Sequence, residues 1–370
     1  MFPKQNEKVP ELRFSGFTDD WEQRKLGELG SVSMNRRIFK EETTENGEIP
    51  FYKIGTFGTT ADAYISRSLF EKYKEKYPYP AKGDLLISAS GSIGRIVEYN
   101  GEDEYFQDSN IVWLKHDNRL INSFLKQFYS IVKWEGLEGS TIKRLYNKNI
   151  LETKIELPKP QEQTKIGNFF KQLDETIALQ ERKLDLLKEQ KKGYLQKMFP
   201  KQNEKVPELR FSGFTDDWEE RKLGEEVESI GTGKSKFITG KKKSLENPYP
   251  VLGSTSVISY DAEFDNSGDF ILTARVGANA GNLYTYSGNV KISDNTVYIK
   301  SKNLYFIYYL LLKFNLKQLA FGTGQPLVKS SELKQLRLMF SNGIKEQQKI
   351  GSFFKQLDDT IALQERLLNT

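Results

Sequence analysis

Residues 162–184 read EQTKIGNFFKQLDETIALQERKL, and residues 346–368 read EQQKIGSFFKQLDDTIALQERLL. Nineteen of these 23 positions are identical at an offset of 184. From Ile166 the apolar residues follow a heptad. Position a holds Ile166, Leu173, Gln180, Leu187 and Tyr194, and position d holds Phe170, Ile177, Leu184, Lys191 and Met198. Eight of these ten are apolar, the pattern of a coiled-coil seam. The second copy places Ile350, Leu357 and Gln364 at a, and Phe354, Ile361 and Leu368 at d. Two like helices in one chain, related by a pseudo-twofold across their axis, pair antiparallel. Gln180 and Gln364 share an a position, where a polar residue sets register or lies on a solvated edge. The first helix is expected to run to Lys197, closed by Phe199-Pro200. The second stops at Thr370, the counterpart of Leu186, and so lacks the counterparts of Leu187 to Lys197.

The repeat extends outward. Residues 1–28 recur at 198–225 with one change, Gln23 against Glu220. A period near 190 residues is far too long for a solenoid and denotes two copies of a domain plus a helix. Between the repeated blocks, 29–161 and 226–345 have diverged but share landmarks. Lys82-Gly83-Asp84-Leu85-Leu86-Ile87 is mirrored by Ser267-Gly268-Asp269-Phe270-Ile271-Leu272. Gln107-Asp108-Ser109-Asn110-Ile111-Val112 is mirrored by Ser293-Asp294-Asn295-Thr296-Val297-Tyr298, and Gly139-Ser140-Thr141 by Gly322-Thr323-Gly324. Each Gly-Asp reads as a turn into a buried strand. Each half also carries a helical apolar segment, Leu120–Val132 and Leu304–Leu319. A repeated scaffold with a diverged surface suits two similar readers aimed at different targets.

The 370 residues match two or three domains by length. Mean hydropathy of −0.60 describes a charge-rich chain. The longest apolar run, Leu304–Leu312, is under half of the ~20 residues a membrane span requires, and residues 1–20 hold no signal-peptide core. A cytoplasmic location with no membrane association is therefore expected. No cysteine is present, which excludes disulfides, thiolate nucleophiles and cysteine-based metal sites. The one histidine, His116, precedes Asp117-Asn118 and reads as surface.

Motifs of catalysis fail on spacing. Gly231-Thr232-Gly233-Lys234-Ser235 resembles the end of a phosphate-binding loop, but its first glycine position is Glu228, whose carboxylate would repel phosphate. It reads as a basic loop. Phe321-Gly322-Thr323-Gly324 is too short for an S-adenosylmethionine loop, and Asn247-Pro248-Tyr249-Pro250 lacks the paired prolines of an amino-methyltransferase. Glu152-Thr153-Lys154 and Glu332-Leu333-Lys334 have no upstream Pro-Asp partner for a nuclease. No catalytic, metal or cofactor-binding residue is assigned.

Net charge is +5. Residues 29–160 carry 19 basic and 18 acidic side chains, and residues 226–345 carry 15 and 9. Loops mixing Lys or Arg with Ser and Asn supply phosphate contacts and base-edge hydrogen bonds. The candidate DNA-binding residues are Arg36, Arg37, Ser90, Ser92, Arg95, Lys143 and Arg144 in the first half. In the second half they are Lys234, Lys236, Lys241, Lys242, Lys243, Arg275 and Asn279.

Val9-Pro10-Glu11-Leu12-Arg13-Phe14, Trp21-Glu22 and Lys25-Leu26-Gly27 form one signature. Gly83-Asp84-Leu85-Leu86-Ile87 with Gly91-Ser92-Ile93-Gly94, and Pro160 leading into Glu162-Gln163 and the Ile166 helix, complete it. All but the proline recur in some form in the second half. In duplicate, this combination resembles the specificity (S) subunit of type I restriction-modification enzymes, over essentially the whole chain.

The resemblance implies an α+β fold: two pseudo-twofold-related mixed α/β target-recognition domains separated by an antiparallel coiled coil of two long conserved helices. The segments are then a conserved N-terminal segment (1–28), recognition domain 1 (29–160), the central helix (161–197), the repeat of the N-terminal segment (198–225), recognition domain 2 (226–345) and a shortened C-terminal helix (346–370). It further implies a non-catalytic subunit of which each domain reads half of a bipartite double-stranded DNA target. Two methyltransferase subunits, carrying S-adenosylmethionine, and two restriction subunits, using ATP and Mg, would join it. Ile166, Phe170, Leu173, Ile177, Leu184, Leu187, Ile350, Phe354, Leu357, Ile361 and Leu368 are the expected coiled-coil and partner interface. The central helix, about 48 Å from Ile166 at ~1.5 Å per residue, would space the two readers. Two rival readings remain: a scaffold that holds proteins without touching DNA, and a self-sufficient nuclease or methyltransferase.

Overall fold

A computed structural model of the chain describes residues 1–4, 7–136, 143–320 and 326–369. The landmarks Gly139-Ser140-Thr141 and Phe321-Gly322-Thr323-Gly324 lie outside the described residues. The chain divides into two compact units, Met1–Ile177 and Ala178–Thr370.

In the first unit, β1 (Glu22–Lys25) runs straight into the single-turn helix α1 (Leu26–Leu29) and β2 (Gly30–Ser33). Next come β3 (Ile49–Tyr52), β4 (Tyr64–Ile65), α2 (Arg67–Lys76), β5 (Leu85–Ser88), β6 (Ile96–Glu98), β7 (Tyr105–Phe106) and β8 (Ile111–His116). Helices α3 (Asn122–Ile131) and α4 (Asn147–Glu152), strand β9 (Lys154–Leu157) and the long helix α5 (Pro160–Lys197) follow. Strands β2-β8-β5-β6 form one sheet, β4-β3-β7 a second, and β1 pairs antiparallel with β9 from Glu22↔Leu157 to Lys25↔Lys154. All of β5 is buried, and Gly83, at φ +92, makes the turn into it. Trp21, Leu26, Ile87, Leu114, Phe124, Ile150, Ile155 and Ile166 share one core.

The second unit repeats the frame. Strand β10 (Glu219–Lys222), α6 (Leu223–Glu226) and β11 (Ser229–Thr232) copy β1, α1 and β2. Strands β12 (Tyr249–Leu252), β13 (Val257–Asp261), β14 (Asn266–Ala274), β15 (Leu283–Ile292) and β16 (Thr296–Lys300) lead to α7 (Leu304–Phe314), α8 (Ser330–Gln335), β17 (Arg337–Phe340) and α9 (Ile344–Leu368). Here one six-stranded sheet, β11-β16-β14-β15-β12-β13, stands where the first unit has two smaller sheets, while β10 still pairs with β17. Two sequence expectations change. Gly268-Asp269 lies inside β14, not in a turn, because Gly268 pairs across the sheet with Gly288, and both take positive φ (+134 and +130). Part of the glycine-rich stretch at 231–235 is strand, since Gly231 and Thr232 pair with Tyr298 and Val297.

Helix α5, 38 residues and about 57 Å long, reaches into both units. In the second unit its later turns pair antiparallel with α9. Gln364 Nε2 donates to Gln180 Oε1 at 2.5 Å, Lys188 pairs with Glu365 at 2.7 Å, Lys191 with Asp358 at 2.5 Å, and Tyr194 meets Phe353 edge-on at 5.2 Å. The glutamine pair is thus bonded, with Gln364 only 6% exposed. Ile350, Phe354 and Ile361 are buried in this seam, and Leu184, Leu187, Leu357 and Leu368 are half-buried. Ile166 is buried and Phe170 half-buried in the first unit's core. Leu173 and Ile177 depart from the expected seam: each is 43% exposed. The heptad gives them an apolar face without specifying what packs on it.

Candidate nucleic-acid interface

The same three-segment junction is built at one end of each sheet. In the first unit, Ala89 N–H donates to the Asn110 carbonyl at 2.7 Å, and Leu145 N–H donates to the Ala89 carbonyl at 2.9 Å. In the second unit, Arg275 N–H donates to the Asn295 carbonyl at 2.9 Å, and Val328 N–H to the Arg275 carbonyl at 2.8 Å. The bridge Ser90↔Arg144 has its counterpart in Val276↔Leu327. One backbone frame therefore presents different chemistry. Ala89, Ser90 and Arg144 on one copy stand where Arg275, Val276 and Leu327 stand on the other.

At the first junction Asn110 gathers the candidates. Its Oδ1 accepts from Ser90 Oγ at 2.7 Å and from Arg144 Nη2 at 2.9 Å. Asn110 is not among the site residues read from the sequence, where the landmarks set it against Thr296; only the backbone junction sets it against Asn295. Ser90 is 7% exposed, so its hydroxyl acts inside the fold. Arg95 Nη1 donates to the Phe57 carbonyl at 2.7 Å, which ties its loop down. Ser92 and Lys143 are exposed beside them. Arg36 and Arg37 follow β2 at a separate cavity of about 480 Å³ with Asn35, Phe39, Tyr77 and Asp108. Arg36 lies over the Tyr77 ring at 5.3 Å, and Arg37 pairs with Asp108 at 2.9 Å. The Tyr105 hydroxyl, pushed above its ordinary range by burial, stays protonated and donates to the Arg36 carbonyl at 3.0 Å. Asn35, 3% exposed, has no hydrogen-bond partner for its side-chain amide among the described residues.

In the second unit the cations are freer. Arg275 and Asn279 are exposed in the β14–β15 loop, where Asn279 Oδ1 accepts from Asn282 at 3.1 Å. Lys234, Lys236, Lys242 and Lys243 are exposed, and among the described residues no carboxylate pairs with them or with Arg275. Lys241 differs: half-buried, it donates from Nζ to Asn247 Oδ1 at 3.2 Å. Lys234 lines a groove of about 480 Å³ with Ser235, Asp265, Tyr298 and Lys334. Unpaired lysines and arginines on loops meet phosphates at small desolvation cost, and arginine or asparagine beside them reaches base edges. Among the described residues no group of acidic or histidine side chains could hold a metal, and no helix is long and apolar enough to cross a membrane. His116 ends β8, with Nε2 at 2.6 Å from Asn122 Oδ1.

The type I restriction modification DNA specificity domain matches the chain twice, over residues 18–189 and 215–370. The chain belongs to this family. Relatives of the type I specificity subunits agree with that placement. A Haemophilus influenzae protein named as such a subunit is 56% identical over 146 residues, 39% of this chain and 38% of its own length. The MjaVIII specificity subunit of Methanocaldococcus jannaschii is 23% identical over 94% of this chain and 88% of its own. The S subunit structure from M. genitalium superposes with a TM-score of 0.60 at 16% identity, covering 98% of this chain and 95% of that one, which shows a shared fold. This chain is accordingly a type I specificity subunit, a protein of DNA sequence recognition, built as two α/β units and a long helix.

Proposed function

We propose that each unit reads one half of a two-part DNA target, while partner subunits supply all catalysis. One observation carries this reading: the first specificity-domain match covers most of the first unit and the second lies within the second unit, and each unit presents a different residue set on the same backbone junction. Loops at Ser90–Arg95 and Lys143–Arg144 would serve one half-site, and Arg275–Asn279 with the Lys234 and Lys242 loops the other. In this assembly two methyltransferase subunits bring S-adenosylmethionine and flip out the target adenine. Two restriction subunits bring ATP and Mg. The work is cytoplasmic, and this chain contributes the address.

The test exchanges residues 29–158 for those of a relative and maps methylated adenines in DNA exposed to the assembled complex. One half of the target should change and the other stay. A change in both halves, or methyl transfer by the purified chain alone, would overturn the proposal.

A further inference from the structure

We propose that Arg37 reads a guanine in the half-site of the first unit, and that Asp108 positions it. The contact rests on the reading that each unit recognises DNA, and it lies outside the Ser90–Arg95 and Lys143–Arg144 loops. Arg37 Nε donates to Asp108 Oδ2 at 2.9 Å, and among the described residues the guanidinium has no other partner. The Arg37 side chain is 59% exposed, against 17% for Asp108. Both terminal nitrogens of the arginine are left to donate, while the carboxylate holds the guanidinium from the protein side.

Charge separates a base contact from a phosphate contact. A carboxylate this close offsets the guanidinium, so the pair draws a phosphate only weakly. What Asp108 supplies is orientation, because it holds a planar fork in one attitude. In the major groove guanine alone presents two acceptors, O6 and N7, and an arginine fork spans both.

The mount is stiff. Asn110 N–H donates to the Asp108 carbonyl at 2.6 Å, and Ser109 between them has φ +54, a left-handed conformation that serine rarely adopts. Backbone strain of this kind gathers at binding sites. Gln107 anchors the start of the turn: its N–H donates to the Tyr52 carbonyl, and its Oε1 accepts from Ile54 N–H, both at 2.9 Å. On the other side the Tyr105 hydroxyl holds the Arg36 carbonyl at 3.0 Å. Across the turn Asp108 bonds Arg37, and two residues on Asn110 bonds Ser90 and Arg144. The Arg37 pair therefore borders the first junction.

The second unit differs at this place, as a reader of another sequence must. Trp113 pairs with Leu86 and Ser33 as Tyr298 pairs with Leu272 and Gly231. Four residues further on, Arg37 corresponds to Ser235, and the match of Asn110 with Asn295 sets Asp108 against Ser293. Ser235 Oγ donates to Asp265 Oδ1 at 2.8 Å, and the buried Ser293 hydroxyl lies 2.9 Å from that of Thr296. The buttressed arginine thus belongs to the first unit's chemistry.

The test uses the assembled complex on its mapped target duplex. Each guanine of the first half-site is replaced in turn by 7-deazaguanine, which lacks the N7 acceptor and still pairs with cytosine. One replacement should weaken binding by the unaltered protein about fivefold or more. Arg37→Ala should weaken binding to the target, and the same replacement should then cost nothing further. Asp108→Asn should lower the preference for guanine at that position. It should also steepen the salt slope, by up to ~0.9, as the released guanidinium finds a phosphate. An Asp108 that only supports the fold would weaken all sequences alike and leave the slope unchanged, which would overturn its positioning role. Because the replacement is made in the DNA, unchanged affinity of the unaltered protein at every guanine overturns the proposal without any variant. So does an Arg37→Ala variant that weakens binding to all sequences equally, the mark of a phosphate contact. A complex that binds every sequence alike would instead defeat the two-part reading itself, a separate outcome.

Discussion

Arg13 and Glu162, 149 residues apart, form a two-pronged ion pair in which Nε and Nη2 donate at 2.7 and 2.8 Å, and the Glu162 side chain is 2% exposed. It locks the N-terminal segment onto the start of α5. Arg210 and Glu346 repeat it at 2.6 and 2.9 Å, with Ser341 Oγ as an additional donor to Glu346.

Removing either arginine strands a buried carboxylate, a loss of about 3–5 kcal/mol. Because Glu346 keeps Ser341, Arg13→Ala should cost more than Arg210→Ala. Arg13→Lys should recover little, since a point charge cannot reproduce the fork. Urea unfolding of the three variants would order them.

Glycines on the long helices separate packing from propensity. A Cβ on Gly351 would sit 2.7 Å from the Phe306 backbone nitrogen, and one on Gly167 would sit 2.6 Å from Ser123 Cβ, whereas one on Gly193 would meet nothing within 4 Å among the described residues. Gly193→Ala should stabilise by up to about 1 kcal/mol through helix propensity. Gly351→Ala and Gly167→Ala should destabilise, because overpacking of ~1–3 kcal/mol exceeds that gain. A rise in melting temperature for either would show that the helix crossing is loose.

The lysine run 241–243 should divide. Replacing Lys242 and Lys243 with Ala should shallow the dependence of log K on log salt by up to about 1.8, at ~0.9 per phosphate contact. Lys241→Ala should leave the slope nearly unchanged, because its ammonium is held by Asn247. Binding isotherms on target DNA from low to moderate salt would check both.

Lys291 Nζ holds the Asp261 carboxyl below the ordinary carboxylate range, at 3.0 Å. A lowered folded-state pKa means that this stabilisation is fully present above the unfolded value near 3.8 and is lost as pH falls through the lower folded value. Lys291→Met should therefore reduce stability at neutral pH and flatten its decline in acid. Stability curves from pH 7 to pH 2 for the two proteins should converge at the acid end.

Much of the architecture was legible from the repeat. Near-identical blocks of 23 and 28 residues must fold alike, and a heptad over Ile166–Met198 specifies which helix face is apolar. So the paired helices and the duplication of the N-terminal segment followed from sequence, whereas the strands and single-turn helices of β1–α1–β2 and β10–α6–β11 came from the structure. The Gly268-Asp269 misreading has a local cause: a glycine marks a turn or a strand defect equally well until its cross-strand partner, Gly288, is known.

Periodicity names a face and leaves its neighbour unspecified. Leu173 and Leu357 stand in nearly the same sequence, yet one is exposed and the other half-buried, because among the described residues the later turns of α5 pack on α9 around the second. The site is tertiary for the same reason. Ser90, Asn110 and Arg144 come from three segments far apart in the chain and meet at the Asn110 side-chain oxygen, and no spacing along the chain encodes that meeting. The sequence by itself determined the duplication, the helix faces and the absence of thiol chemistry, since these follow from residue identity and local period. Only the tertiary structure decided which cations are held by other groups of the fold, as Arg95 is by the Phe57 carbonyl and Lys241 by Asn247, and which have no carboxylate partner among the described residues, as in Lys242 and Arg275, because pairing depends on distances between segments far apart in the chain.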